Sequence, residues 1–282
     1  MEASSIIGTI IAIFTGLVTY KGLRDYGFKE MYLFDVDKIL IHKEYRRLWS
    51  SGFLHANWLH YGFNMMALLS FSFSLEFMFG TGRFLLLYFA SMIGGSLLAL
   101  FIHRNHGDYR ALGASGAISG VIFSSIVLFP ESKIGFVILP FEMKSWIFGV
   151  LYMLISILGI KSQRDNIGHE AHLGGAIIGV VLTLIFYPTL ALEHWWVVLL
   201  ILLPVTAFLI LIVRNPAVLM IDKYWGENVE MLKNWKPKPS DPNRKLSQEE
   251  ELDALLDKIN KYGINSLSKK EKDRLKELTD KM

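Results

Sequence analysis

The sequence predicts an all-α protein: a polytopic transmembrane helix bundle with a small soluble helical hairpin at its C-terminus. Three observations carry that expectation. Apolar residues make up 52% of the 282 and mean hydropathy is +0.36, although the last 69 residues hold 15 Lys/Arg and 13 Asp/Glu. Seven apolar stretches approach the roughly 20 residues that a helix needs to cross a hydrocarbon core. Cysteine is absent, which excludes disulfides, thiolate metal sites and a cysteine nucleophile. The net charge of +3 is too small and too evenly spread to indicate nucleic-acid binding.

The candidate spans cover residues 4–20, 57–79, 84–102, 114–129, 145–160, 170–188 and 195–213. The opening Met1-Glu2-Ala3 has no basic region and no cleavage signal, so the first span is not read as a signal peptide. Lys21 to Ala56 is a loop of 36 residues, rich in aromatic and charged side chains. It is too long for a simple turn and is expected to fold on or into the membrane surface. Spans two, four and six contain Gly, Ser, His and Asn, and so belong inside the bundle. The seventh, "HWWVVLLILLPVTAFLILIVR", carries Trp195 and Trp196 at one end and Arg214 at the other, as a lipid-facing span with interfacial anchors does.

Three segments follow from this reading: a transmembrane domain over 1–215, a linker over 216–245 and a helical hairpin over 246–282. Pro216, Pro237, Pro239 and Pro242 mark the linker. The hairpin helices each open on a capping box, Ser247/Glu250 and Ser268/Glu271. Leu252, Leu255, Leu256 and Ile259 repeat at helical spacing, and Gly263 is placed to end the first helix.

Spans two, four and six all enter the membrane from one face, because an even number of crossings separates them. Near those entry points stand "HANWLHYGFN" (His55, His60, Asn64), "GASG" (Gly113, Ser115, Gly116) and "HEAHLGG" (His169, His172, Gly175). Small residues recur every four positions from Gly116 through Gly120 to Ser124, and from Ala171 through Gly175 to Gly179. Such stripes let two helix backbones approach closely. They begin beside Ser115 on one helix and beside His172 on the other, which suits a serine nucleophile hydrogen-bonded to an imidazole base. His60 and Asn64 are four apart and share a helix face. Donors placed there can hold the negative oxygen of a tetrahedral intermediate, each worth roughly 3–4 kcal/mol in the transition state. No acidic third member is evident, and a carboxylate at the centre of a span costs about 2.5–3.5 kcal/mol on insertion scales.

Each feature alone has a plainer reading. Gly-x-Ser-Gly is usually tight packing, a single intramembrane histidine usually belongs to a polar network, and Asn64 alone is an interhelical hydrogen bond. The set as a whole points to catalysis. A membrane metalloprotease is suggested by "HEAH", but the zinc motif needs histidines four apart, and His169 and His172 are three apart. A non-catalytic binder of transmembrane helices with a vestigial dyad is the main alternative. A transporter is a weaker one, since no inverted repeat or broken helix pair is evident.

These residues resemble the rhomboid family of intramembrane serine proteases, from the first span through the sixth. "GASGAISG" is similar to that family's nucleophile motif, with Ser115 in the serine position. "AHLGGAIIG" is similar to its histidine motif, with His172 as general base. "HANWLHYGFN" resembles its histidine-rich second span, which implies His60 and Asn64 as oxyanion stabilisers and His55 as a loop support. "RRLWSSGFLH" and "EFMFGTGRFLLLY" resemble its fold-holding motifs, with Arg47 in the loop arginine position. Two positions depart from the pattern. Arg46 stands where the family usually has Trp, and Ser119 where many members carry an aromatic that packs on the catalytic imidazole; Tyr152 in span five is the candidate replacement. The resemblance implies a six-helix core with one added span, a multi-pass protein of the bacterial plasma membrane, and an active site facing outward. It also implies single-span membrane proteins as substrates, cleaved through an acyl-enzyme without metal or cofactor. Loop charge points the other way: 11 Lys/Arg lie on the site face and three on the opposite face, and positive charge usually marks the cytoplasmic side.

Overall fold

The computed structural model describes residues 6–135, 142–162, 167–214, 255, 258 and 266–279. They fall into two compact units, Met1–Trp225 and Gly226–Met282. The first unit begins with α1 (Ile6–Arg24), followed by a folded loop and the long α5 (Trp58–Ile102). The loop contains α2 (Tyr26–Tyr32), β1 (Phe34–Asp35), α3 (Val36–Leu40), α4 (Arg47–Ser50) and a 3₁₀ turn at Ser51–Phe53. After α5 come β2 (Arg110–Ala111), α6 (Ser115–Leu128), β3 (Lys133–Gly135), β4 (Glu142–Lys144) and α7 (Ser145–Ser162). The unit closes with α8 (His169–Phe186), α9 (Pro188–Glu193) and α10 (Trp195–Arg214).

The two spans predicted at 57–79 and 84–102 are the limbs of α5, which reverse at Gly80. That residue has φ 70° and ψ 164°, a left-handed conformation open to glycine and strained for other residues. The reversal is visible in what each limb touches. His60, at the start of the first limb, lies over Gly113, while Phe79 stacks on Tyr187. The second limb returns until Gly95 meets Ala171. It therefore runs antiparallel to α8, and the first limb runs parallel to it. α1 packs antiparallel to the first limb: the Ile7 amide donates to Glu76 and the Tyr61 hydroxyl to the Ala12 carbonyl at 3.0 Å.

α6 is the middle of the bundle. Only Ser115 and Ser125 of its 14 residues escape burial, and at 1.5 Å per residue it is about 21 Å long. The fourth predicted span is thus shorter than a full crossing. The reason is that protein surrounds it, so the lipid thickness does not set its length.

The seam between α6 and α8 is built from glycine. A Cβ on Gly175 would collide with the Gly116 carbonyl oxygen, and one on Gly179 with the Gly120 carbonyl. Further along, the Ser124 and Thr183 hydroxyls bond to each other at 2.7 Å. The two helices are parallel, and their first turns lie at one end of the bundle. α7 runs the other way, with Gly149 against Phe123 and Ile126, and Gly159 against His169. α10 starts at the far end, where Trp196 meets Trp146 and His194 Nδ1 bonds the Val127 carbonyl at 2.8 Å.

The loop after α1 forms a surface layer rather than a simple connection. β1 pairs antiparallel with β2, Phe34 opposite Ala111 and Asp35 opposite Arg110. Arg110 adds ion pairs to Glu30 at 3.0 Å and Asp35 at 3.1 Å. This strand pair ties the loop to the chain leading into Ser115, and the sequence reading did not foresee it.

In the second unit, α11 (Lys269–Thr279) opens on the predicted Ser268/Glu271 capping box. The Ser268 amide donates to Glu271 at 2.8 Å, and the Glu271 amide to the Ser268 hydroxyl at 3.4 Å. Lys258 at 2.7 Å and that box hold the Glu271 carboxyl down to about 2. Leu255, Leu267 and Leu278 form a small core. The Ser247/Glu250 box, Leu252, Leu256, Ile259, Gly263 and the linker prolines lie outside the described residues.

A substitution pair tests the seam. Gly175→Ala is expected to destabilise the protein by about 1–3 kcal/mol or more, as overpacking does. Gly62→Ala, where nothing lies within 4 Å of the added methyl, is expected to be neutral or better, since alanine suits a helix interior more than glycine. Thermal unfolding of both variants in detergent gives the order.

Candidate functional site

Ser115 is the first residue of α6, half-buried at the end of the bundle where α8 also begins. Gly113 sets its approach. With φ 129° and a His60 ring that would stand 2.8 Å from any added Cβ, this position requires glycine. The Gly113 amide bonds the Ser51 carbonyl at 3.0 Å, and the Ser51 hydroxyl bonds the Arg47 carbonyl at 2.8 Å. The surface layer therefore reaches the backbone two residues before the serine.

Arg47 is 4% exposed, and a buried guanidinium is tolerated only when its donors are satisfied. Its NH1 donates to the Glu30 and Leu33 carbonyls at 2.8 and 2.7 Å, and its Nε to Glu44 at 2.7 Å. That bond holds the Glu44 carboxyl below its ordinary range. Arg46, in the position where tryptophan was expected by resemblance, lies over the Tyr32 ring at 5.6 Å and pairs with Glu44 at 3.4 Å.

His55 is buried among α1, the loop and the start of α6. The Ala114 amide donates to Nε2 at 3.5 Å, so the proton sits on Nδ1, which bonds the Thr19 hydroxyl at 2.9 Å. The Thr19 hydroxyl donates in turn to the Phe53 carbonyl at 3.1 Å. Burial, with a smaller repulsion from His60, pushes the His55 imidazole down to about 3, so it is neutral at physiological pH. Thr19 was missed by sequence reasoning; a lone threonine in an apolar span gives no sign of its partner.

His60 and Asn64 share the first two turns of α5. The His60 ring lies edge-on to His55, with centroids 4.9 Å apart, and covers Gly113. The Asn64 amide donates to the His60 carbonyl at 2.9 Å, and its side chain is buried.

Opposite them is the first turn of α8. Gly116 lies against Ala171: a Cβ on Gly116 would stand 3.2 Å from the Ala171 carbonyl oxygen and 3.5 Å from its Cβ. The immediate neighbours of Ser115 and His172 are therefore in contact. The His172 ring faces Tyr152 of α7, centroids 5.7 Å apart and planes inclined at 39°. The Tyr152 hydroxyl bonds Ser119 at 2.7 Å, and Ser119 bonds the Ser115 carbonyl at 2.8 Å. A tyrosine on α7 thus occupies the place beside the imidazole that the sequence of α6 leaves empty. Glu170, the acidic residue of "HEAH", bonds His103 at 2.9 Å and Tyr109 at 3.3 Å.

These features define a multi-pass integral membrane protein with a serine, two histidines and an asparagine gathered at one end of its buried helices. A family model for the rhomboid domain matches residues 42–189, more than half the chain, and the protein belongs to the rhomboid family. Residues 243–281 match a family of unknown function. The chain is 36% identical over 134 residues to the mitochondrial Rhomboid protein 1 of Saccharomyces cerevisiae, covering 46% of this chain and 39% of the relative. It is 32% identical over 143 residues to the Rhomboid protease GluP of Bacillus subtilis, covering 51% and 26%. With the mitochondrial Presenilin-associated rhomboid-like protein A of Danio rerio it shares 34% over 134 residues, covering 46% and 34%. The matches span well under half of these relatives' own length.

His55 generates a prediction whose sign is fixed. Its folded value lies below the unfolded one, so protonation favours unfolding, and stability is lost as pH falls from about 6.5 toward 3, by about 1.4 kcal/mol per unit. His55→Gln keeps a donor and an acceptor without titrating. The difference in thermal midpoint between pH 7 and pH 4.5 is expected to be smaller in this variant than in the wild type.

Proposed function

We propose that the protein is an intramembrane serine endopeptidase that cuts single-span membrane-protein substrates in or beside their transmembrane segment. The observation that carries this reading is the Gly116–Ala171 contact between two parallel helices, which brings Ser115 and His172 to matching first turns. The Ser115 hydroxyl attacks the scissile carbonyl while His172 takes its proton. His172 then returns the proton to the leaving amine, and water resolves the acyl-enzyme by the same route in reverse. His60 and the Asn64 side-chain amide receive the developing oxyanion. Tyr152 keeps the imidazole from rotating. No metal or cofactor enters the scheme. A substrate helix has to unwind before its peptide bond is accessible, so glycine, proline and small residues near the cut favour cleavage. Residues 1–215 form the protease domain, 216–245 a linker and 246–282 an appended helical hairpin.

In this reading the membrane is a bacterial plasma membrane with the Ser115 end facing outward, as the family resemblance implies; of the relatives above, one is a Bacillus subtilis protein and two are mitochondrial. The charge count points the other way. Seven of the 11 site-face Lys/Arg lie in Lys21 to Arg47, a folded layer in which Arg47 is buried against carbonyls. At 36 residues the loop is still short enough for its charges to count under the positive-inside rule, so the outward placement rests on the family resemblance and the labelling experiment below decides it.

Two experiments test these readings. Ser115→Ala and His172→Ala are each expected to abolish cleavage of single-span test proteins and labelling by a fluorophosphonate while leaving thermal unfolding intact; turnover near the wild-type level in either variant refutes the dyad. For sidedness the cysteine-free chain is convenient. Asn105→Cys is expected to react with an impermeant maleimide on intact bacterial cells, and Ser132→Cys only after lysis; the reverse pattern turns the site toward the cytoplasm.

A further inference from the structure

Two residues before His172, α8 carries a buried acid that the proposed chemistry does not use. Both oxygens of Glu170 are engaged: Oε1 with His103 Nε2 at 2.9 Å and Oε2 with the Tyr109 hydroxyl at 3.3 Å. The Glu170 and His103 side chains are each 5% exposed. The Tyr109 ring lies flat on His103, centroids 3.6 Å apart and planes at 7°.

The three residues come from three different places. His103 terminates α5, its amide bonded to the Ala99 carbonyl. Tyr109 belongs to the connection between α5 and α6; its carbonyl accepts from Val36 at 3.2 Å, and six residues later the chain reaches Ser115. Glu170 sits in the first turn of α8, which has no side-chain cap at Gly168. The His172 amide is part of that turn, bonded to the Gly168 carbonyl at 3.2 Å beside the Ala171 amide at 3.0 Å. An uncapped first turn frays unless something else holds it.

We propose that Glu170 is a positioning residue, a latch that fixes the turn carrying His172 to the connection leading into Ser115. The carboxylate fastens the α8 turn to His103 and Tyr109, and Tyr109 is fastened in turn to the surface layer. Burial and the adjacent carboxylate hold the Tyr109 phenol well above its ordinary range, so it remains a donor throughout the working pH. The latch rests on the Ser115–His172 reading, since it has no task without a dyad to align. A favourable helix-dipole contact for an acid in a first turn adds to the latch but does not account for two partners on other elements.

The test is the rate at which a fluorophosphonate acylates Ser115 in the full-length detergent-solubilised protein, resolved into a maximal rate and a half-saturating concentration. Below the unfolding transition, Glu170→Ala is expected to lower the maximal rate about tenfold to a hundredfold, the scale of a small misplacement of reacting groups, and to leave half-saturation within twofold. Tyr109→Phe, which removes one hydroxyl, is expected to lower it several-fold, and Glu170→Gln, which keeps an acceptor, to fall between wild type and Glu170→Ala. Wild-type maximal rates in Tyr109→Phe and in folded Glu170→Ala overturn the latch and leave the dyad standing. A wild-type protein that is not labelled, or labelling undiminished in Ser115→Ala, overturns the dyad and the latch with it.

Discussion

The closest approach of α6 and α8 is the constraint from which the rest of the structure follows. Backbone meets backbone at Gly116, Gly120, Gly175 and Gly179, with no room for a side chain at the last two. Inside a bilayer, burying apolar surface between helices gains little, because lipid is equally apolar. Association rests instead on van der Waals contact over a flat seam and on hydroxyl pairs such as Ser124–Thr183. The second limb of α5 joins the same packing, with Gly94 and Gly95 set against Ile178, Gly174 and Ala171. Three helices are thereby locked in axial register. Register is what matters for the site, since a slip of one turn moves a side chain about 5.4 Å.

Above this apolar seam lies a layer that handles polarity differently. Arg47 and His55 are both buried, and each is made tolerable by a distinct means. Arg47 keeps its charge and satisfies it with two carbonyls and one carboxylate. His55 gives up its charge and serves as a neutral link between Thr19 and the Ala114 amide. Together with the β1–β2 pair, these contacts fix the chain on the N-terminal side of Ser115 at Arg110, Gly113 and Ala114. Ser115 is therefore held from below by helix packing and from above by a hydrogen-bonded loop layer.

The sequence carried the seam almost completely. Four-residue spacing of small residues on spans four and six is a one-dimensional signature of a contact that is itself periodic, and the glycines meet in that order. The family resemblance reached Ser115, His172, His60, Asn64, His55 and Arg47 through local motifs, and the family match confirms the membership on which that resemblance rested. What the sequence concealed were pairings between distant segments with no periodic signal. Phe34 and Asp35 give no hint that they form a strand, because two residues carry no alternation and their partners lie 75 or more positions away. Thr19, Tyr109 and His103 look unremarkable one at a time. Hydropathy placed α6 to within one residue at each end, but it reports how apolar a stretch is, not whether lipid or protein surrounds it.

The geometry around His172 bears on the proposed dyad, which has no acidic third member. Glu170 is the obvious candidate by proximity in sequence, yet two helical positions correspond to about 200° of rotation. Its carboxylate accordingly points toward His103 and Tyr109, and the imidazole toward Tyr152. Aromatic packing can restrain a ring's rotation without placing a charge beside it. It also avoids the desolvation of a carboxylate beside the imidazole, and the buried Glu170 carboxylate is satisfied on both oxygens by partners of its own. Orientation by an aromatic face and alignment by a remote carboxylate are separable tasks. In the proposed scheme they fall to Tyr152 on α7 and Glu170 on α8, on opposite sides of the same histidine.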